Sequence, residues 1–146
     1  MARRKARELA FRTLFQAERG QSDLLGVWTQ VRRDLAEDDD DAYGDRLDAD
    51  GVAFAERLLE TFAEHREALD AQLQRSIEGW SFGQMAQTDL NVLRLALTEL
   101  RFEDVPTEVT IEIAVRIAKK FGGEESGRFV NGVLAKLVRE PALRRD

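Results

Sequence analysis

Apolar residues recur at the spacing of an α-helix along most of this chain, and this period restricts what the chain can fold into. The clearest case is the segment 93–100, where apolar residues lie at positions i, i+3, i+4 and i+7 and therefore share one helical face. The sequence has only two prolines and few runs of β-branched residues, so no segment favours a strand. The pattern predicts an all-α protein with six to seven helices.

Residues that cap or break helices set the predicted bounds. Ser22 or Asp23 caps the second helix, because a short polar side chain can accept a hydrogen bond from the first turn. Gly122 and Gly123 end the fifth, because glycine tolerates the left-handed conformation of a helix terminus. The predicted helices are 4–19, 24–35, 54–77 with a break near 64–66, 88–100, 107–121 and 124–137.

Acidic residues dominate the segment 37–50, which carries eight of them against Arg46 alone. Like charges at this density repel one another, so the segment is predicted to be an acidic loop or a frayed helix end. Within it, the run Asp38–Asp41 is interpreted as a solvated linker. Transient screening of a basic surface elsewhere in the chain is the alternative.

Composition narrows the classes of function. A length of 146 residues suits a single domain over 1–146. The chain has no cysteine, which excludes disulfides, thiolate metal sites and cysteine nucleophiles, and its one histidine, His65, lies among charged residues. No apolar stretch approaches the ~20 residues that a membrane span needs. These features predict a cytoplasmic protein that is not an enzyme, binds no membrane and holds no metal or cofactor.

Charge is distributed unevenly along the chain. The first nineteen residues carry six basic and two acidic residues, although the whole chain has a formal charge of −6. An acidic protein approaches a polyanion only at such a local basic cluster. Any contact with nucleic acid is therefore expected at the N-terminus, in a basic arm formed by residues 1–5.

Two aromatic rings lie off the apolar arc of the first helix. On a helical wheel, Phe11 and Phe15 fall among charged residues rather than with Leu9 and Leu14. One interpretation is that the helix is central and contacts a second layer of the protein. The other is that one ring is partly exposed, where it suits base stacking or a protein contact.

Several short runs give the chain a family resemblance. They are Arg3–Glu8 with Leu14-Phe15, Val92–Ala96 with Glu99-Leu100, Val105-Pro106, Ala118–Gly122 and Phe129–Leu134. In this order and spacing, over about residues 3–138, they resemble the NusB family of bacterial transcription antitermination factors.

This resemblance implies a NusB-like fold of two roughly perpendicular helical bundles. It also implies binding of the boxA segment of nascent ribosomal transcripts together with NusE, a small-subunit ribosomal protein. The complex joins the RNA polymerase antitermination complex. A homodimer that buries the basic surface is one further arrangement, since it would keep RNA away until a partner arrives. A helical domain that binds proteins only, with an incidental basic end, is the alternative function.

The resemblance also assigns candidate RNA-binding residues. At the N-terminus they are Arg3, Arg4, Lys5 and Arg7, as phosphate contacts. Around the junction of the last two helices they are Lys119, Lys120, Gly122, Glu125, Ser126, Arg128 and Phe129. Phe129 is equally compatible with a place in the core.

The resemblance also assigns Phe15 and Asp89 as the candidate contacts with NusE. Asp89 has a second interpretation as a first-turn acid that interacts with the helix dipole.

Gly132 lies inside the last helix, where glycine costs about 1 kcal/mol relative to alanine. Close helix packing is the favoured explanation for this glycine, and RNA contact is the alternative.

Overall fold

The chain is helical throughout the part that the computed structural model describes, which comprises residues 2–37, 47–77, 79 and 81–140. Six α-helices and one short 3-10 helix, Phe82–Gln84, occur in these residues, and no strand does. The α-helices are α1 (Ala2–Gly20), α2 (Leu24–Glu37), α3 (Ala49–Ser76), α4 (Gln87–Phe102), α5 (Thr107–Gly122) and α6 (Glu124–Val138). The all-α prediction is confirmed.

Aspartate side chains cap the helices on either side of the acidic segment. Asp23 accepts a hydrogen bond from the Gly26 N–H at 2.9 Å, and Asp48 accepts one from the Gly51 N–H at 2.8 Å. In both cases the carboxylate satisfies an N–H group that has no partner within its own helix. Of the two predicted caps for α2, Asp23 is the one with this bond.

The predicted acidic loop 37–50 is shorter at both edges than expected. Glu37 is the last residue of α2, and α3 begins at Ala49. Asp48 is exposed and also has a structural role as the cap of α3. Residues 38–46, including the aspartate run Asp38–Asp41, lie outside the described residues.

Helix α3 contains the predicted break. His65 has φ −112° and ψ 19°, which are not helical values, although helical geometry continues on both sides. The chain divides next to this residue into two compact units, residues 1–63 and residues 64–146. The first unit contains α1, α2 and the first part of α3, and the second contains the remaining helices.

The core of the first unit follows the predicted arc of α1. The arc residues, all buried, are Ala6, Leu9, Ala10, Thr13, Leu14 and Ala17. Phe54, Leu58, Leu59 and Phe62 of α3 are also fully buried. Trp28 of α2 is buried as well, with its indole Nε1 donating to Glu56 Oε2 at 2.9 Å. Large apolar side chains on three helices therefore form this core.

Helix α4 is the most enclosed element of the second unit. Every residue from Asp89 to Leu100 is buried, although only one side of the helix is apolar by sequence. Several enclosed polar residues have partners: Thr110 Oγ1 donates to Glu99 Oε2 at 2.6 Å, and Asn91 Nδ2 donates to the Gln87 carbonyl at 3.0 Å. These hydrogen bonds offset the free-energy cost of removing polar groups from water.

Glycine allows the α5–α6 junction to be tight. Gly123 joins the helices with φ +96°, a conformation that favours glycine. A Cβ at Gly127 would lie 2.5 Å from Cγ of Lys119, and one at Gly122 would collide with Ser126. The close-packing interpretation of Gly132 is wrong, because a Cβ there would meet no atom within 4 Å. Close packing occurs instead at Gly127, five residues earlier in α6, and at Gly122, the last residue of α5.

Candidate nucleic-acid interface

The basic residues at the N-terminus lie on a helix. Because α1 begins at Ala2, Arg3, Arg4 and Lys5 occupy its first turn, and residues 2–5 of the predicted basic arm are helical. No acidic residue lies in this turn. Cations are unfavourable at the positive end of the helix dipole, typically by 0.3–1 kcal/mol each. A bound anion would offset this unfavourable interaction. The first turn of α1 is therefore better suited to binding an anion than to stabilising the helix.

The four predicted phosphate contacts differ in accessibility. Arg3 and Arg4 are exposed and Lys5 is half-buried, whereas only 6% of Arg7 is exposed. The guanidinium of Arg7 lies 5.1 Å from the centroid of the buried Phe54 ring. Arg3 and Arg4 are therefore the residues best placed to contact phosphate, while Arg7 contributes charge from a buried position.

The two aromatic rings of α1 have different environments. Phe11 is buried in the core, and Phe15 is half-buried, with the ring centroids 5.8 Å apart. The Arg19 guanidinium lies 5.7 Å from the Phe15 centroid. Both sequence interpretations are thus partly correct, since α1 is central at Phe11 and presents an accessible ring at Phe15.

Asp89 is the third residue of α4 and is 9% exposed. Its Oδ1 is buried and has no hydrogen-bond partner among the described residues. The first-turn position fits an interaction with the helix dipole. However, a buried carboxylate oxygen without a hydrogen-bond donor destabilises the folded protein. An interaction with the helix dipole does not explain why the protein tolerates this cost.

The predicted residues of the α5–α6 junction form one cluster in the second unit. Lys119, Lys120, Gly122, Glu125 and Arg128 are exposed, Phe129 is half-buried, and Ser126 is buried. The Lys119 side chain crosses Gly127, and its Nζ lies 4.0 Å from Glu124 Oε1. Packing across Gly127 therefore holds the aliphatic part of Lys119 in place while its ammonium remains accessible.

One aromatic residue of this junction was missed by the sequence analysis. Phe121 is 36% exposed at the end of α5, and Lys120 Nζ lies 5.4 Å from its ring centroid. Its position four residues after Ile117 and eight after Ile113 favours the buried face of the helix. The only available signal was its location at the helix end, directly before Gly122-Gly123.

The structure thus presents two candidate surfaces. The first unit carries the basic residues of α1 and the ring of Phe15, and the second carries Asp89 and the α5–α6 junction. Among the described residues, no group of three or more histidine, cysteine, aspartate or glutamate side chains is arranged to hold a metal ion. No helix in these residues is long and apolar enough to cross a membrane.

Comparison with known proteins identifies the family. A model of the NusB family matches residues 4–139, nearly the whole chain. The chain belongs to the NusB family. The transcription antitermination protein NusB of Deinococcus deserti is 53% identical over 137 residues, which cover 94% of this chain and 80% of that protein.

Solved NusB structures share the fold. The structure of T. maritima NusB has a TM-score of 0.80 and 37% sequence identity, covering 94% of this chain and 91% of that one. A second structure, of the antitermination factors NusB and NusE in complex with dsRNA, has a TM-score of 0.75 and 26% identity, covering 92% and 93% of the two chains. The NusB-like fold inferred from the sequence motifs is confirmed.

Proposed function

We propose that this NusB-family protein binds boxA RNA of nascent ribosomal transcripts together with NusE and joins the RNA polymerase antitermination complex. The observation that carries the proposal is the composition of the first turn of α1. This turn contains Arg3, Arg4 and Lys5 and no acidic residue, although the whole chain has a formal charge of −6. Helix stability does not favour this arrangement, whereas phosphate binding does. The solved complex of a NusB relative with NusE and dsRNA supports both classes of partner.

The α5–α6 junction contributes a second set of RNA contacts in this proposal. Lys119, Lys120 and Arg128 are exposed cations, and Phe121 and Phe129 are accessible rings. Single-stranded RNA is held by cations along its phosphates and by flat groups on which its bases stack. The junction supplies both types of group, while Glu125 moderates the affinity because it repels phosphate.

Phe15 and Asp89 are the proposed NusE contacts. The accessible ring of Phe15 suits an interface anchor, since aromatic residues are enriched at such positions. The unpaired Oδ1 of Asp89 would gain a donor if a small rearrangement opened it to a partner. We further propose that the chain acts as a single domain in the cytoplasm, without catalytic activity or a cofactor.

Titration of a labelled boxA-like RNA, followed by fluorescence polarisation with and without NusE, tests this function. The informative variant is Arg3→Gln/Arg4→Gln, because both residues are exposed, whereas substitution of the buried Arg7 would also disturb packing. Arg33→Gln/Arg116→Gln removes two exposed charges elsewhere and is the matched control. We expect NusE to tighten binding and only the first variant to weaken it. Absence of RNA binding at low salt, with and without NusE, would contradict the proposal.

The homodimer is tested in the same preparation. Light scattering of the free protein, and again with RNA and NusE present, measures its oligomeric state. A dimer that buries the N-terminus of α1 would dissociate when RNA binds. A dimer that persists in the RNA complex would argue against this arrangement.

A further inference from the structure

One face of α6 combines two exposed arginines with an exposed glycine. Arg128, Gly132, Ala135 and Arg139 follow one another at intervals of four, three and four residues, so they lie on one side of the helix. We call this side the α6 face. Ala135 is half-buried and the other three residues are exposed. At a helical rise of about 1.5 Å per residue, the face is ~16 Å long. It begins beside the α5–α6 junction and ends at Arg139, the C-cap of the helix.

Gly132 is not required by the protein's own packing. It lies in the interior of α6, where glycine costs about 0.5–1 kcal/mol relative to alanine. A Cβ there would meet no atom of the described residues within 4 Å, and the φ of this glycine is not positive. Glycine also allows a ligand to approach the backbone closely. Its place between the two arginines therefore suits a ligand that lies along the helix.

Acidic and basic residues are separated along α6. Glu124 and Glu125 occupy the first turn. The rest of the helix up to its C-cap contains Arg128, Lys136 and Arg139 and no acidic residue. Lys136 is half-buried and also interacts with other residues, so the two arginines are the cations best placed to contact a ligand.

The two helices that pack against α6 contribute four acidic residues. On α4, Asp89 and Glu99 are buried. On α5, Glu112 pairs with Arg116 at 3.2 Å, whereas Glu108 is exposed in the first turn and counts against the positive charge of the face.

The last turn of α6 also has a structural reason to be basic. A cation near a helix C-terminus interacts favourably with the dipole, typically by 0.3–1 kcal/mol. Glu140 offsets part of the charge of Arg139, although its Oε2 accepts a hydrogen bond from Ser76 Oγ at 2.9 Å and is directed towards α3. The dipole therefore accounts for Arg139 but for neither Arg128 nor Gly132.

We propose that bound RNA continues from the α5–α6 junction along the α6 face, with its backbone over Gly132 and its phosphates on Arg128 and Arg139. A polyanion is complementary to a basic helix surface on an acidic protein, and guanidinium groups bind phosphate through two parallel hydrogen bonds. The face is also continuous with the junction. This inference rests on the proposed RNA-binding function and extends the site beyond the residues that the family resemblance assigns.

RNA length tests this path in the full-length protein with NusE present. A labelled boxA-like RNA is compared with the same RNA extended by several uridines at its 5′ or its 3′ end. We expect one extended RNA to bind about threefold to tenfold more tightly, since Arg139 adds a charged contact. Arg139→Gln should remove this gain and lower the salt slope for that RNA by about 0.7 in magnitude, the value for one phosphate. Arg33→Gln, an exposed arginine on α2, is the matched control and should keep both.

Gly132→Gln tests the close approach of the RNA backbone. Glutamine is a better helix former than glycine, so the free energy of unfolding should stay the same or rise. The longer side chain should nevertheless remove the gain from the extended RNA. Asn131→Gln is the control, because it lengthens an exposed side chain on the preceding residue by one methylene. It should bind the extended RNA as the wild type does.

Cross-linking locates the extension directly. With 4-thiouridine in the extension, we expect cross-links to residues 129–136 of α6, identified by mass spectrometry. Cross-links confined to other helices would overturn the path.

The outcomes separate the path from the function. If the wild type binds all three RNAs equally, or if Arg139→Gln and Gly132→Gln keep the gain, the path is wrong while the proposed function stands. Absence of binding of all three RNAs at low salt would overturn both. Loss of NusE affinity in Arg139→Gln, with RNA affinity unchanged, would identify the α6 face as a protein contact and overturn the path.

Discussion

Arg94 and Asp70 form a two-pronged ion pair inside the second unit, with Arg94 Nε and Nη2 donating to Asp70 Oδ1 and Oδ2, each at 3.0 Å. Only 5% of Arg94 is exposed, and its Nη1 also donates to Asn91 Oδ1 at 2.9 Å. The pair connects α3 with the enclosed helix α4. Since removal of one partner would leave a buried charge without its counter-ion, the pair is a principal determinant of the geometry around α4.

The variant Asp70→Asn is expected to lower the free energy of unfolding by about 3 kcal/mol, because the Arg94 guanidinium would remain buried without a carboxylate. Chemical denaturation measures the loss. The control is Glu112→Gln, which breaks a pair with Arg116 whose side chains are both more than half exposed. That variant should lose less than ~0.5 kcal/mol. Similar losses in the two variants would show that burial does not matter for the Arg94 pair.

Gly132→Ala is expected to stabilise the protein by about 0.5–1 kcal/mol, because alanine is the better helix former and the position has room for a Cβ. Gly127→Ala is the matched contrast, since its Cβ would collide with the Lys119 side chain and offset the same gain. Thermal unfolding of both variants measures the difference. Loss of RNA affinity in Gly132→Ala, with stability raised, would favour the RNA-contact interpretation of this glycine.

Asp89→Asn distinguishes the two interpretations of Asp89. If the unpaired carboxylate is kept for NusE, the amide should leave stability unchanged or raise it, while NusE affinity falls about fivefold or more. If the carboxylate serves the helix dipole, stability should fall by about 0.3–1 kcal/mol and NusE affinity should not change. Calorimetric titration with NusE and thermal unfolding of the same sample give both quantities.

Phe121→Leu removes a flat ring but keeps an apolar side chain of similar volume. We expect RNA affinity to fall by about 1–3 kcal/mol, the usual worth of one stacked base, with little change in stability. Phe102→Leu is the control, because Phe102 is similarly exposed but lies on α4 rather than at the α5–α6 junction. Its ring stacks on His65, with the ring centroids 4.6 Å apart. Equal RNA affinities of the two variants would exclude Phe121 as a stacking residue.

Local patterns made much of the fold predictable. The spacing of apolar residues at three and four positions predicted the helices and the buried arc of α1. The short polar side chain of Asp23 predicted where α2 begins. The break near His65 was also predicted from the change in apolar pattern. Each of these features depends on residues within a few turns of one another, which is the range that periodicity and capping rules describe.

Features that depend on distant residues were not predictable in this way. The burial of Arg7 against Phe54 requires α1 and α3 to meet. The exposure of Phe121 and the open space at Gly132 depend on which helices pack nearby. The charge pattern located the basic N-terminus and the family motifs located the junction, but neither could rank the side chains by accessibility.

The salt dependence of RNA binding tests the central claim most directly. For three or four phosphate contacts on a single strand, log K should fall with log salt with a slope of roughly −2 to −3. In Arg3→Gln/Arg4→Gln, the slope should lose about 1.4 in magnitude, because two phosphates lose their partners. A slope that is the same in the wild type and this variant would contradict phosphate binding by the first turn of α1.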